Sequence, residues 1–252
     1  MDLKLNGNKA LITGATKGIG RAIADALAEE GCNVAICARD EKAVDETVNA
    51  LSAKGVKAFG QAFDVGDGDQ LKAWVEASAD ALGGIDCLVS NVSGGNAQGE
   101  EGWRANFEYD VLGTVRLVET ALPHLEKSDN ASIIMMSSTA ALEKFIAANA
   151  YNAMKGALVQ YAGALAQDLG PKGIRVNSIC PGPIFIEGGA WDRIKTHMTA
   201  FYEQTVAQIP LGRMGSAAEV AAQVALLVSP RGAFTTGSNL VVDGGFTKRI
   251  QF

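Results

Sequence analysis

The sequence lacks an excess of positive charge and lacks any long apolar run near its start, and each absence argues against a class of function. Acidic residues outnumber basic ones by 28 to 22, so the formal net charge is −6 at pH 7. Nucleic-acid-binding domains usually carry a basic face, so this balance argues against nucleic acid and, more weakly, against anionic membranes and acidic protein partners. The opening stretch MDLKLNGNKALITG is too polar for a membrane span or an export signal. We therefore expect a cytoplasmic protein that binds neither nucleic acid nor membrane.

The sequence also lacks a CxxC pair. The four cysteines lie in apolar, strand-like surroundings without CxxC spacing: Cys32, Cys37, Cys87 and Cys180. We expect reduced core residues of the kind common in cytosolic proteins, and we assign no metal site. Aromatic residues make up only 6 % of the chain, but 48 % of its 252 residues are hydrophobic, which is ample for a large core.

Short apolar runs alternate with amphipathic stretches through the first half of the chain. The predicted strands are Lys9–Thr13, Asn33–Cys37, Val56–Ala62, Ile85–Ser90 and Ser132–Ser137, and the predicted helices are Gly18–Glu30, Glu41–Lys54, Gly68–Leu82 and Gly102–Leu125. The strands are apolar on both faces, which is typical of a parallel sheet covered by helices on each side.

The second half continues this alternation with fewer elements. We predict a helix at Ala150–Leu169 ended by Gly170-Pro171, a strand within GIRVNSICPG that stops at Pro181, a helix at Ser216–Leu227 and a strand at Asn239–Val242. No linker, repeat or composition break divides the chain. The sequence therefore predicts a single α/β domain over residues 1–252, with a doubly wound parallel sheet flanked by helices.

A glycine-rich turn follows the first predicted strand, in KALITGATKGIGRAIADAL. Gly14, Gly18 and Gly20 have the spacing GxxxGxG, not the commoner GxGxxG. Glycines at such a turn let the backbone approach a pyrophosphate, which binds at the N-terminus of the following helix. The position between strand and helix predicts a dinucleotide site, to which Thr16 and Ile19 of the same turn should contribute.

The end of the second predicted strand, NVAICARDE, bears on which dinucleotide binds. An NAD site usually has a carboxylate there to accept hydrogen bonds from the ribose 2′-hydroxyl, whereas this chain has Ala38 followed by Arg39. A guanidinium can bind a 2′-phosphate with two parallel hydrogen bonds, and Lys17 adds a second cation. The alternative is that both cations are solvated and that Asp40 merely caps the next helix. We predict NADP(H) in preference to NAD(H).

The third predicted strand is followed by FDVGD, which contains Asp64 and Val65. A side chain at this position can reach the adenine of a bound dinucleotide. The alternative for Asp64 is an ordinary aspartate in a turn.

Six motifs taken together resemble the short-chain dehydrogenase/reductase family over essentially the whole chain. They are TGATKGIG at the first turn, SNVSG after the fourth strand, the serine pair at 137–138, YNAMK at 151–155, PG at 181–182 and VDGG at 242–245. The resemblance implies a Rossmann-like sheet of about seven strands, nicotinamide-dependent carbonyl and alcohol chemistry, and a homotetramer. It also implies cofactor contacts from Asn91, Pro181, Gly182 and Ile184.

Tyr151 and Lys155 are four residues apart on a predicted helix and therefore share one of its faces. A phenol is protonated at neutral pH, and a neighbouring cation favours its anionic form. The resemblance implies that Tyr151 gives or takes the proton, that Lys155 also anchors the cofactor ribose, and that Ser138 hydrogen-bonds the substrate oxygen. An isolated Tyr and Lys would usually be structural, so this interpretation depends on the motifs together.

Three departures from the family pattern bear on catalysis. Asp110 stands where the family usually has an asparagine that helps to hold a water between the lysine and solvent, and an ionised carboxylate cannot donate a hydrogen bond. Asn106, one turn earlier, could compensate. Ser90 and Ser93 replace residues of the usual NNAG, and Ile186 replaces the threonine of PGxxxT. These changes keep a second hypothesis open: an oligomer that binds a dinucleotide with little or no catalysis.

Residues 183–210 lie where the family has a mobile substrate lid. An apolar lining with a few polar groups is usual for a small-molecule pocket. Equally, Ile194, Met198 and Phe201 have helical spacing and could simply bury one face of a helix.

The substrate is expected to be a small-molecule carbonyl compound or alcohol. A close branch of the family reduces 3-oxoacyl groups on acyl carrier protein, and this remains an alternative. That acidic partner requires a basic patch, to which Lys172 could contribute, but Asp129 stands where a further cation would be expected.

Overall fold

Seven parallel strands form the central sheet of the protein, whose computed structural model describes residues 1–144 and 147–250. They are β1 Lys9–Thr13, β2 Asn33–Ala38, β3 Ala58–Ala62, β4 Cys87–Ser90, β5 Ser132–Met136, β6 Arg175–Pro181 and β9 Asn239–Val242. Their order is β3-β2-β1-β4-β5-β6-β9, so the chain reverses direction across the sheet between β1 and β4. Ligands of such sheets bind at the carboxyl ends of the strands near this reversal.

Helices cover both faces of the sheet. They are α1 Gly18–Glu29, α2 Glu41–Ser52, α3 Gly68–Leu82, α4 Gly99–Asn106, α5 Gly113–Leu125, α6 Ala150–Leu169, α7 Ala190–His197, α8 Thr199–Ala207 and α9 Ala217–Val228. One buried cluster lies between the sheet and α1, α2 and α9, and the other lies between the sheet and α3, α5 and α6. A short pair, β7 Ile184–Phe185 and β8 Gly215–Ser216, stands apart from the main sheet. The predicted doubly wound, single-domain α/β fold is confirmed.

The helix predicted over Gly102–Leu125 is present, but it begins at Gly99 and is not α-helical throughout. The segment Phe107–Leu112 between α4 and α5 is π-helical. Single π turns are frequent at functional sites, and the Thr114 hydroxyl donates a hydrogen bond of 2.6 Å to the carbonyl of Asp110 within this one. An apolar pattern with a period near 3.6 does not reveal one inserted residue, so the sequence could not show this turn.

Several predicted strand ends also differ from the structure by one or two residues. β3 begins at Ala58, not at Val56, and β4 begins at Cys87, not at Ile85. β5 ends at Met136, which leaves both serines of the 137–138 pair beyond the strand.

The four cysteines are free and buried, as predicted. Burial raises the pKa of Cys37 and of Cys87 to about 12, so these thiols stay protonated and unreactive at neutral pH. Within residues 1–144 and 147–250, no helix has the length and apolar content needed to cross a membrane.

Arg175, at the start of β6, fastens the end of α9 to the sheet. The residue is 9 % exposed. Its guanidinium donates hydrogen bonds to the carbonyl of Leu227 and to those of Gly232 at 3.1 Å, Val228 at 3.2 Å and Ser229 at 3.4 Å. Burial lowers the pKa of Arg175, but an arginine stays protonated in proteins. The carbonyls at the end of α9, which have no partner within the helix, are thereby satisfied.

We expect Arg175→Met to destabilise the protein by about 2–4 kcal/mol, because buried carbonyls lose charged donors while the methionine fills the space. Urea denaturation would measure this loss as a lower midpoint. Arg104→Met is the control, since Arg104 is exposed and makes only a surface ion pair with Glu100. Equal midpoints for the two variants would contradict this interpretation of Arg175.

Candidate active site

Two neighbouring cavities open at the carboxyl ends of the parallel strands. The first, the glycine-loop cavity, has a volume of about 630 Å³ and is lined by Gly14, Thr16, Lys17, Arg39, Asp64 and Asn91 among others. The second, the tyrosine cavity, has a volume of about 360 Å³ and is lined by Ser138, Tyr151, Gly182, Pro183, Trp191 and Ile194 among others. The first collects residues that follow β1 to β4, and the second collects residues that follow β5 and β6.

The glycine turn fits tightly against the residue that follows β4. Gly14 has φ +67°, in the left-handed region that favours glycine. A Cβ on Gly20 would lie 2.4 Å from the carbonyl oxygen of Gly14 and 2.5 Å from Asn91 Nδ2. Asn91 donates this amide to the carbonyls of Thr13 and Gly14, at 3.1 and 3.2 Å. The turn therefore admits only glycine at position 20, and its backbone is held open by Asn91.

Lys17 and Arg39 both line the glycine-loop cavity and are exposed. Val65, next to Asp64, lines it too. Asp40 accepts a hydrogen bond of 3.0 Å from the backbone N–H of Ala43 and caps α2. Asp40 therefore has the capping role that the alternative gave it. The Arg39 side chain still lines the cavity. The donors fit a ligand that carries several phosphate groups.

Tyr109 is a cavity residue that the sequence analysis missed. Its hydroxyl donates a hydrogen bond of 3.1 Å to Asp64 Oδ2, while Asp64 Oδ1 accepts the backbone N–H of Gly66 at 3.0 Å. Burial, and then the hydrogen bond to Asp64, raise the pKa of Tyr109, and the positive charge of Arg39 opposes this. Asp64 therefore makes the contact of an ordinary aspartate in a turn, which was the alternative interpretation. It also lines the glycine-loop cavity. Tyr109 belongs to the π segment Phe107–Leu112.

The serine pair and the YNAMK motif come together at the tyrosine cavity. Ser138 and Tyr151 both line it. Ser137 donates its hydroxyl to the carbonyl of Lys155 at 2.8 Å, which ties the end of β5 to α6. The side chain of Asn149 caps α6, so Tyr151 stands in its first turn. Lys155 Nζ lies 5.7 Å from the centre of the Tyr151 ring.

Lys155 is held by Asp110 in a buried ion pair. The distance from Lys155 Nζ to Asp110 Oδ1 is 2.8 Å, and the side chains are 3 % and 0 % exposed. Lys155 Nζ also donates a hydrogen bond of 2.8 Å to the carbonyl of Met136. Asp110 Oδ2 accepts from the backbone N–H of Gly94 at 2.8 Å and from the hydroxyl of Ser93 at 3.3 Å. Because removing one partner of such a pair leaves a buried charge, its loss costs about 3–5 kcal/mol.

The suggestion that Asn106 could compensate for Asp110 is wrong. Asn106 donates its amide to the carbonyls of Gly95 at 3.0 Å and Gly102 at 2.9 Å. It holds the loop after β4 against α4 and does not replace the residue one turn further on.

The chain after β6 closes the other side of the site. Pro181 ends β6, and the backbone N–H of Gly182 donates a hydrogen bond of 3.0 Å to the carbonyl of Val242. Ile184, in β7, is buried and paired with β8. A Cβ on Gly18, the first residue of α1 and the neighbour of Ile19, would lie 3.4 Å from Ile186 Cδ1. Ile186 therefore covers the glycine turn.

Helix α7 lines the tyrosine cavity, and α8 packs against α7. Trp191 stacks on Phe201 with ring centres 6.1 Å apart, and Trp191 and Ile194 line the cavity. Met198 is 56 % exposed. The three residues at helical spacing, Ile194, Met198 and Phe201, therefore do not bury one common helix face.

The lining of the tyrosine cavity is largely apolar, with amide and hydroxyl groups but no charged side chain among the described residues. Four amide side chains line it, those of Asn96, Gln98, Asn149 and Asn152, and of the described residues no Asp, Glu, Lys, Arg or His does so. Amides offer both donors and acceptors, which suits a ligand with hydroxyl and carbonyl groups.

Comparison with known proteins finds close relatives over almost the whole chain. A family model described as enoyl-(acyl carrier protein) reductase matches residues 14–247. Isoepoxydon dehydrogenase patN of Penicillium expansum is 41 % identical over 253 residues, which cover 98 % of each chain. The solved structure of L-sorbose reductase from Gluconobacter frateurii, complexed with NADPH and L-sorbose, has a TM-score of 0.91 at 30 % identity and covers 99 % of this chain and 100 % of that one.

A solved short-chain dehydrogenase from Burkholderia cenocepacia J2315, in complex with NADP, has a TM-score of 0.88 at 30 % identity and covers 96 % of this chain and 99 % of that one. The relatives are named as dehydrogenases and reductases, in agreement with the order of motifs along the sheet edge. The chain is an oxidoreductase and belongs to the short-chain dehydrogenase/reductase family.

Proposed function

We propose that the protein interconverts a carbonyl and a secondary alcohol by hydride transfer with NADP(H), with Tyr151 as the acid or base. The observation that carries this proposal is the meeting of Ser138 and Tyr151 in one cavity, with Lys155 behind the tyrosine and the glycine-loop cavity alongside. The glycine turn fits a dinucleotide, because it has no room for a side chain at Gly20.

The residues in and behind the tyrosine cavity have separate roles in the proposed reaction. NADP(H), when bound, supplies or accepts the hydride. The Ser138 hydroxyl hydrogen-bonds the substrate oxygen and stabilises charge that develops on it. Tyr151 donates a proton to that oxygen in reduction and removes it in oxidation, and the Lys155 cation favours the phenolate. We propose that residues 183–210 act as a lid over this chemistry, because α7 and α8 can exclude water when they close.

We expect Tyr151→Phe to lower turnover by at least roughly 10²-fold, because among the described residues that line the tyrosine cavity Tyr151 is the one suited to move the proton. NADPH affinity should change little, and fluorescence titration would measure it. Tyr161→Phe, on the same helix but outside both cavities, is the control. Wild-type rates in the Tyr151 variant would end the proposed mechanism.

The preference for NADP(H) over NAD(H) rests on charge at the glycine-loop cavity. Arg39 and Lys17 place two cations there, and Ala38 stands where an NAD site usually has a carboxylate. The solved relatives described above hold NADPH and NADP. We propose that Arg39 binds the 2′-phosphate and that Lys17 assists it.

We expect Arg39→Ala to weaken NADPH binding by roughly 10-fold or more, because a charge-assisted hydrogen bond is lost, and to leave NADH binding nearly unchanged. Calorimetry with each cofactor would measure the two dissociation constants. Lys42→Ala, which removes an exposed cation of the adjacent α2, controls for a general change in surface charge. Equal losses for NADPH and NADH would overturn the cofactor assignment.

The uncharged, amide-lined tyrosine cavity favours a small neutral substrate rich in oxygen. The relative from Gluconobacter frateurii binds L-sorbose, and the relative from Penicillium expansum is named for isoepoxydon. A 3-oxoacyl thioester on an acidic carrier protein is the alternative, but Lys172 is already paired with Glu126 at 2.6 Å. That ion pair weakens the basic patch that such a carrier would need.

We expect NADPH oxidation to be fastest with neutral hydroxyketones and slower with 3-oxoacyl thioesters, because the amides can pair with substrate hydroxyls. A spectrophotometric comparison of kcat/KM over both classes would measure this. Faster reduction of the thioesters would favour the alternative substrate. NADPH binding without turnover of any compound would favour the hypothesis of a binding protein with no catalysis.

We also propose a cytoplasmic homotetramer. Trp103 and Phe107 are 47 % and 46 % exposed on neighbouring turns of α4 and the π segment. Large exposed aromatic side chains on one helical face are typical of a surface that another subunit covers.

A further inference from the structure

A third cavity, the side pocket, adjoins the tyrosine cavity. It has a volume of about 430 Å³ and is lined by Thr139, Glu143, Lys144, Phe201, Gln204 and Phe246 among others. Thr139 and Phe246 line the tyrosine cavity as well, and Thr139 directly follows Ser138 in the chain. The side pocket therefore begins beside the residue proposed to hold the substrate oxygen. The volume is within the range of small-molecule sites, about 300–1,000 Å³.

A pair of stacked rings connects the two cavities a second time. Trp191 of α7 lines the tyrosine cavity, and Phe201 of α8 lines the side pocket. Their ring centres are 6.1 Å apart and their planes differ by 10°. The helices of the proposed lid thus contribute to both cavities, so a ligand that extends beyond the tyrosine cavity along this wall reaches the side pocket.

The chain after β9 is fixed beside the side pocket by two carboxylates. Glu143 Oε1, in the loop after β5, accepts hydrogen bonds from the backbone N–H groups of Lys248 at 2.8 Å and Arg249 at 2.6 Å. Asp243 Oδ2 accepts hydrogen bonds from the backbone N–H and the hydroxyl of Thr247, both at 2.8 Å. These bonds give the side pocket a defined wall on the side of the C-terminal chain.

The side pocket has charged side chains of both signs. Lys144 and Lys248 are exposed cations that line it, and Glu143 is an anion that lines it. The Lys248 ammonium donates a hydrogen bond of 3.1 Å to the carbonyl of Gln208. A ligand with a net charge of either sign would face a like charge here, whereas a neutral hydroxyl can donate to a carboxylate and accept from an ammonium. The charges therefore favour a neutral ligand with several hydroxyl groups.

Amide and apolar groups complete this lining. The side-chain amide of Gln204, an exposed residue of α8, offers both donors and an acceptor. The rings of Phe201 and Phe246 offer apolar surface, which suits the C–H groups of a hydroxylated carbon ring. Sugar and polyol units carry hydroxyls and C–H groups together, so they match both parts of the lining.

We propose that the side pocket binds a second, uncharged polyhydroxy unit, such as a sugar ring, of an extended substrate whose carbonyl lies at Ser138 and Tyr151. This inference rests on the proposed function and deepens it, because the carbonyl end is the part that reacts. The second unit is remote from the reacting atoms, and its contacts are the same in the ground state and the transition state. Such contacts lower KM and leave kcat nearly unchanged.

We expect a neutral hydroxyketone that carries a glucosyl unit to have a kcat/KM at least roughly tenfold above that of the same hydroxyketone without it, through a lower KM. Oxidation of NADPH, followed by absorbance, would measure both values. Gln204→Ala should reduce this advantage by roughly fivefold, because a hydrogen bond to the second unit is lost. Gln204→Trp should remove most of it, because the indole fills the pocket.

Glu203 supplies the matched control, since it is the adjacent exposed residue of α8 and lies outside the lining of the side pocket. Glu203→Ala and Glu203→Trp should leave the ratio of the two kcat/KM values unchanged. Absence of any gain from the glucosyl unit, or equal ratios in Gln204→Trp and Glu203→Trp, would overturn the inference and leave the proposed function standing. A larger gain from a phosphate group than from the glucosyl unit would overturn the assignment to an uncharged unit.

A binding measurement separates failure of this inference from failure of the proposed function. Absence of turnover with every hydroxyketone would overturn the proposed function. Calorimetric titration of the NADPH-bound protein with the glucosylated compound would still decide the side pocket. Weaker binding to Gln204→Trp than to Glu203→Trp would support it, and equal binding to the two variants would overturn it.

Discussion

The ion pair between Lys155 and Asp110 is the interaction on which the site depends. It joins α6, the π segment and the loop after β4, and the lysine reaches β5 through the carbonyl of Met136. A buried charge is tolerated only when its partners satisfy it. The enclosure therefore fixes where Lys155 stands, and with it the face of α6 that presents Tyr151 to the cavity.

The parallel sheet supplies the constraint that brings the remaining parts together. Since every strand of the main sheet runs in one direction, the residues that follow β1 to β6 meet at one edge. The π segment adds a second connection along that edge, because Tyr109 contacts Asp64 in the glycine-loop cavity and the adjacent Asp110 contacts Lys155. Two successive residues of one turn thus connect the glycine-loop cavity with the lysine behind Tyr151.

Much of this arrangement could be predicted from the sequence, and the rest could not for identifiable reasons. Local patterns placed the strands and most of the helices, and residue spacing placed the glycine turn, Ser138 and Tyr151 at one edge. The π turn was missed, because one inserted residue leaves the apolar pattern of the helix nearly unchanged. Asp110 was expected to interrupt a water-mediated link, whereas its direct contact with Lys155 depends on a distance across the fold that no spacing along the chain contains.

A crystal structure of the protein with NADP(H) bound would show whether the ion pair holds the site together. We expect Lys155 Nζ to stay within ion-pair distance of Asp110 while the hydroxyls of Tyr151 and Ser138 converge on a common point in the tyrosine cavity. A structure in which Lys155 has left Asp110, or in which Tyr151 faces away from the bound cofactor, would contradict it.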